Sequence, residues 1–204
     1  MNNKRRRFSR SVATRDYRPV FIIATEGKET EPQYFKMKLF QPPHTTVRVE
    51  TLATKQNPSP ASVLARMKKF LNEYSVKKGI HAWLVVDKDT WTDGQLDQLN
   101  NWACEIPTNR GLAVSNPQFE FWLLLHFESA NNVSSQAVCM TRLKNHCPEY
   151  SKKHLPTQKF DDKKVADAIC RAYSKDNPPC DKWPLIAGST VYRLVYHILY
   201  LYNE

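Results

Sequence analysis

The chain has 204 residues, of which 41% are hydrophobic and 25% charged, enough for one soluble domain with a proper core and an appended lobe. Thirty Lys and Arg face 20 Asp and Glu, a net charge of +10, which favours a polyanionic partner such as nucleic acid. No apolar run is long enough to span a membrane and no apolar signal segment opens the chain. The five cysteines lack CxxC spacing and fit reduced thiols, so a cytoplasmic protein is expected.

Residues 1–18 hold Lys4, Arg5, Arg6, Arg7, Arg10, Arg15 and Arg18 against Asp16. Such a stretch builds no core; it is expected to be a disordered basic tail that either meets phosphate or only aids solubility. Pro19–Thr25 then reads as a strand with Val20, Phe21, Ile22 and Ile23 as its buried run. It ends at Glu26-Gly27, where the glycine is expected to permit a tight turn. Thr30 as N-cap, Pro32 in the first turn and Gln33 in the capping-box place predict a helix ending before Pro42-Pro43. Thr45–Leu52 alternates as a second strand, nearer an edge. Ser59-Pro60 opens a helix with Val63, Leu64, Met67, Phe70, Leu71 and Tyr74 at helical spacing.

His81–Val86 is the third strand, a continuous apolar run suited to a central position. It leads into Asp87-Lys88-Asp89. Side chains at i and i+2 of a strand point the same way, so the two acids repel unless something positive lies between them. They either hold Mg²⁺ or Mn²⁺ or cap the next turn and helix. That helix is expected over Asp93–Ala103, followed by a short strand, Gly111–Val114. Ser115-Asn116-Pro117-Gln118 then predicts a helix over Pro117–Phe127 with almost no polar face. Glu120 in its first turn must be ligating or held by amides or an arginine. His126 reads as a satisfied core histidine.

Residues 19–128 thus form an α/β core with a mostly parallel sheet and helices on both faces. Residues 129–204 form a mainly helical extension packed on it, with helices over Ser135–His146, Asp161–Ser174 and Ser189–Asn203. No glycine loop for dinucleotides or P-loop nucleotides is present. Cys139, His146, Cys147 and His154 match no standard zinc spacing. Tyr192, Tyr196, Tyr200 and Tyr202 on the last helix suit either a core or a homo-oligomer contact. Glu26, Asp87, Asp89 and Glu120 come from three separate elements and are the candidate catalytic and metal-holding residues. Lys28, Lys88, Lys152, Lys153 and Arg193 are the candidate nucleic-acid contacts. Acids around Mg²⁺ or Mn²⁺ beside a basic surface suggest attack on a phosphodiester, with Glu26 as general acid or base.

Strand–Glu26-Gly27 followed by strand–Asp87-Lys88-Asp89 is similar to the Toprim domain of topoisomerases, primases and OLD-type nucleases. More narrowly, the residues from Glu26 to Phe35, the Val85–Asp89 strand, Ser115–Phe127 and Ser189–Val195 resemble the RloB-like family. The resemblance implies a Toprim-like (Rossmann-like) sheet and a Mg²⁺-dependent nuclease of bacterial or phage defence. It also implies an abortive-infection role beside an ATPase partner, with DNA or RNA, such as tRNA, as substrate. Glu26 would be the general acid or base, Asp87 and Asp89 metal ligands, Glu120 a further acid and Glu31 a neighbour of the site. Lys28-Glu29 departs from the family's more usual Glu-Lys order, which leaves a role for Glu29 in doubt. Two competing readings stand beside this one. A haloacid-dehalogenase-type phosphatase also uses Asp-x-Asp, but Trp91 occupies the place of its Thr or Val. A non-enzymatic nucleic-acid-binding or assembly module would keep the acids for structure.

Overall fold

The computed structural model describes residues 19–41, 48–52, 59–73, 79–88 and 91–200. The basic tail, Asp89 and Tyr202 lie outside the described residues. The first strand, β1, spans Val20–Thr25, and β2, β3 and β4 span Arg48–Leu52, Ile80–Asp87 and Arg110–Asn116. These four are mutually parallel, and a two-residue strand, β5 (Gly188–Ser189), pairs antiparallel with β4. The order is β2-β1-β3-β4-β5. β2 is therefore an edge strand and β3 a central one, as their residue patterns predict.

Helices close both faces. Helix α1 (Thr30–Phe35) joins β1 to β2, α2 (Pro60–Glu73) joins β2 to β3, and α3 (Asp93–Glu105) joins β3 to β4. The side chains of Val63, Leu64 and Met67 from α2 and Leu96, Leu99 and Trp102 from α3 pack with Ile22, Leu84, Val86 and Val114. On the opposite face Phe21, Ile23, Val85 and Ala113 meet α1 and the later helices α4 (Phe119–Leu124), α5 (Gln136–His146), α6 (Asp162–Lys175) and α7 (Val191–Tyr200). The segment after residue 128 thus shares the core of the sheet and lends it β5. A strand of two residues leaves no periodicity to read, so it was not expected from sequence.

Three helix starts differ from expectation. At α1 the N-cap position is Glu29, without a side-chain cap. Thr30 instead bonds the carbonyl of Lys152, and Gln33 bonds the carbonyl of Lys153 and the N–H of Leu155. Capping-box spacing is here used for tertiary contacts. The apolar helix α4 has six residues rather than eleven, all buried. Strand β4 runs on through Asn116, because the Ser115 hydroxyl meets that of Ser189 at 2.9 Å and the Asn116 amide donates to the carbonyl of Pro184 at 3.0 Å. Likewise Ser189 belongs to β5, and α7 begins at Val191. Other starts follow the sequence: Ser135 and Asp161 accept the N–H groups of Val138 and Lys164, and Thr92 caps α3 with Gln95.

His126 is a satisfied core histidine. Its Nδ1 lies 3.0 Å from the Trp122 carbonyl, so it carries the proton, and Nε2 accepts the Tyr34 hydroxyl at 3.0 Å. Burial holds its pKa down at about 3, keeping it neutral. Cys139 and Cys147 are buried in the core, and His146 stacks on Phe127. Tyr192 is buried whereas Tyr196 and Tyr200 are exposed. Among the described residues, no helix is long and apolar enough to cross a membrane.

Candidate functional site

From β1 the chain moves outward to β2, then crosses back over β1 to β3 and continues to β4. Strands β1 and β3 therefore flank the point where the winding reverses. Their carboxyl ends open onto the crevice where open α/β sheets gather ligands. Glu26 follows β1 directly, and Asp87 ends β3.

Backbone bonds lock these two ends together. The Glu26 N–H donates to the Val85 carbonyl at 3.0 Å. Its carboxylate accepts the Asp87 N–H at 3.2 Å through Oε2 and the Trp91 indole N–H at 2.9 Å through Oε1. Arg66 of α2 donates to the Thr25 carbonyl at 2.6 Å and lies close enough to Glu26 to feel its charge.

Two further acids come in from the flanking helices. Glu31, in the first turn of α1, is buried, and its Oε1 accepts the Gly27 N–H at 2.9 Å. Glu120, in the first turn of α4, is also buried, and its Oε1 accepts the Tyr150 hydroxyl at 2.7 Å. Hydroxyl donation thus replaces the amides or arginine that sequence reasoning offered as Glu120's alternative to a metal. Gly27 is required for a different reason from the expected turn. A Cβ there would lie 2.0 Å from Oε2 of Glu31, so the absent side chain is what admits the acid.

The electrostatics are those of like charges under a low-dielectric cover. Burial comes first in raising Glu31, to about 7, with Glu120 and Glu26 pushing further and the N–H groups of Glu31 and Gly27 opposing. Asp87 is partly buried at the rim by surface area, and burial of its carboxyl is the first cause lifting it well above the usual carboxylate range. Glu31, Glu120 and Glu26 add to that shift, while the Phe119 N–H draws it back. Burial and neighbouring carboxylates both disfavour the charged forms of Glu31 and Asp87.

The donor set is carboxylate oxygen throughout, which suits a hard divalent cation such as Mg²⁺ in kind, and a cation would relieve the mutual repulsion. Among the described residues, however, no three His, Cys, Asp or Glu side chains are drawn together as a metal-holding group. Asp89, the remaining acid expected here, lies outside the described residues.

The expected nucleic-acid contacts divide. Lys28, Lys152 and Lys153 are exposed, and the last two sit on a turn bonded to α1 through Thr30 and Gln33. Lys88 is ion-paired with Asp93 at 3.2 Å. Arg193 is tied at 2.6 Å to the buried Asp176, and also to the Cys180 carbonyl. Sequence reasoning missed Trp91 and Arg66 beside Glu26 and gave Glu31 only as a neighbour. The spacing of Glu31, in the first turn of the helix that begins shortly after Glu26, was the available signal. Tyr150 appeared in sequence only as an aromatic within a basic stretch, since no local pattern marks a bond across 30 residues.

Residues 21–198 match the family model described as RloB-like protein. No curated protein and no solved structure matches the chain. The matched span runs from β1 into α7 and contains Glu26, Glu31, Asp87 and Glu120, and on this match the chain belongs to the RloB-like protein family.

Proposed function

We propose that this protein is a nuclease that uses Mg²⁺ or Mn²⁺ to hydrolyse a phosphodiester of DNA or RNA. The observation that carries the reading is the gathering of Glu26, Glu31, Asp87 and Glu120 from four elements at the switch point of the sheet, where burial and mutual repulsion raise Glu31 and Asp87. Acids in a crevice whose titration is shifted by burial and by neighbouring carboxylates are candidates for a functional site. Asp87, Asp89, Glu120 and Glu26 would hold the ion, with Glu31 beside them. When bound, the cation supplies charge stabilisation to a phosphoryl oxygen and eases the ionisation of water. Glu26 acts as general acid or base, its two oxygens oriented by the Asp87 N–H and the Trp91 indole. Lys28, Lys152 and Lys153 contact substrate phosphates on the α1 side of the crevice. The Toprim-like pattern of Glu26 with Asp87-Lys88-Asp89 supports this chemistry. The same family resemblance supports a role as a cytoplasmic anti-phage, abortive-infection effector working with an ATPase partner.

The test uses the metal-stripped full chain, DNA and tRNA substrates, and Mn²⁺ binding by calorimetry. The parent should bind Mn²⁺ and cleave with Mg²⁺ or Mn²⁺ but not with EDTA, and Glu26→Ala and Asp87→Ala should abolish cleavage while remaining folded. Variants that cleave like the parent, or a parent that binds no divalent ion, would overturn the reading. One observation favours the competing reading of a non-catalytic nucleic-acid-binding or assembly module: the described acids do not close into a metal-holding group. That reading predicts salt-sensitive, metal-independent binding that tolerates Asp87→Asn.

A further inference from the structure

The turn that carries Lys152 and Lys153 also reaches inward. Ser151 and His154 exchange N–H to carbonyl bonds of 3.0 Å each, making a tight turn at residues 151–154. Its backbone is fastened to α1 by Thr30 and by both ends of the Gln33 amide. Just before the turn, the Tyr150 N–H donates to the Cys147 carbonyl at 2.9 Å. The Tyr150 ring is sunk in the core at 2% exposure. Its hydroxyl emerges against two groups only a fold can bring together, Glu120 Oε1 at 2.7 Å and Thr30 Oγ1 at 3.3 Å.

We infer that Tyr150 is a positioning residue that holds Glu120 in the acid cluster; the inference rests on the reading of Glu120 as a metal-holding acid. A carboxylate accepts and does not donate, so the Tyr150 proton is committed to Glu120. The bond is short and charge-assisted, of the stronger kind. It is needed because Glu120 sits among acids that repel it, in a helix buried on every side. Without a donor, the side chain is pushed from the crevice towards whatever water it can reach. The ring fixes where the hydroxyl can stand, and the three bonds from Thr30 and Gln33 fix the turn that follows it. Tyr150 therefore acts through Glu120 and not on substrate.

A double-mutant cycle of Tyr150→Phe and Glu120→Gln in the full chain tests this, read by Mn²⁺ calorimetry and by urea unfolding in EDTA. Tyr150→Phe keeps the ring and removes only the donor. Mn²⁺ affinity should fall about tenfold or more in Tyr150→Phe, and the double variant should bind no more weakly than Glu120→Gln alone. The unfolding constants should show the same lack of additivity. Additive losses in both measurements would overturn the inference, because Tyr150 would then be a core residue independent of Glu120. A parent that binds no Mn²⁺ would sink the nuclease reading instead, and the unfolding cycle would still report whether Tyr150 acts through Glu120.

Discussion

Glu31→Gln in the metal-free protein should reverse part of the pH dependence of folding, by an amount the site's electrostatics set. The unfolded carboxyl titrates near 4.5 and the folded one at about 7. Between those values the folded state binds the extra proton, so stability falls as pH rises. The contribution is fully present below 4.5 and lost by the time pH passes 7. That interval corresponds to about 3 kcal/mol. Gln keeps the shape and offers its amide oxygen to the Gly27 N–H but has nothing to ionise. Parent and variant should therefore be close in stability near pH 4.5. By pH 8 the variant should be the more stable, by about 3 kcal/mol less the charged share of the Gly27 bond, or about 4–10 °C in melting temperature. The comparison must be a difference. His81 and His126 are depressed to about 4 and about 3, and they make the parent lose stability as pH falls below the ordinary histidine value, opposing the Glu31 slope. Urea titrations in EDTA from pH 4.5 to 8.5, parent beside variant, read the Glu31 part together with its share of the Asp87 shift. A gap that is constant with pH, or that widens towards acid, would refute the buried-acid account of the site.

Gly27→Ala places a Cβ 2.0 Å from the Glu31 carboxylate and must evict it. Near pH 4.5, where the carboxyl is protonated, loss of the bond to the Gly27 N–H, about 0.5–1.5 kcal/mol, is offset by about 0.4–1 kcal/mol of backbone entropy, for a net fall of at most about 4 °C in a thermal melt; above pH 7 eviction also relieves the buried charge, so the variant should gain on the parent. In that background Glu31→Gln should no longer change the pH profile. Arg193→Ala removes one of the donors to the buried Asp176, which also takes the Tyr192 hydroxyl and the N–H and thiol of Cys180. Because the guanidinium is partly solvated and the other donors remain, the loss should be about 2 kcal/mol by urea unfolding. If the protein binds nucleic acid as proposed, the salt dependence of that binding should not change; a slope reduced by about one would restore Arg193 as a phosphate contact.

The parallel frame was legible because parallel strands bury both faces and so read as unbroken apolar runs: Val20–Ile23 and Trp83–Val86 need no partner to be recognised. The placing of Glu26 and Asp87 at one crevice followed from that frame and from the carboxyl-end rule. What could not be read was anything depending on distant partners. Thr30 and Gln33 have capping-box spacing, yet α1 is short and the turn after Tyr150 competes for both side chains. Ser115-Asn116-Pro117 reads as a helix start, yet β5 and the chain before it hold Ser115 and Asn116 in the sheet. The donor to Glu120 was invisible for the same reason, as was the steric use of Gly27. The local pattern there, a glycine after a strand, is common to a turn and to a close approach, and only the position of the Glu31 carboxylate separates them.

Three other buried polar sites among the described residues sharpen the contrast. His126 is neutral, with a donor and an acceptor each matched. Asp176 takes a guanidinium, a hydroxyl and an amide N–H, and its pKa falls below the usual range despite burial. Ser115 and Ser189 satisfy each other. These are the solutions a fold adopts when it buries polarity for structure. At the switch point the same chain does the opposite, setting acids so that after burial the largest influences raising Asp87 are other carboxylates. That arrangement costs stability at neutral pH, where a glutamine or serine at Glu31 or Asp87 would not. A local conflict of this kind, inside a frame otherwise consistent from strand pattern to helix cap, is the pattern expected under the proposed chemistry. Arg66 reaches Glu26 from the α2 side and is already bonded to Thr25; under the proposed function a bound divalent cation would relieve the acids together.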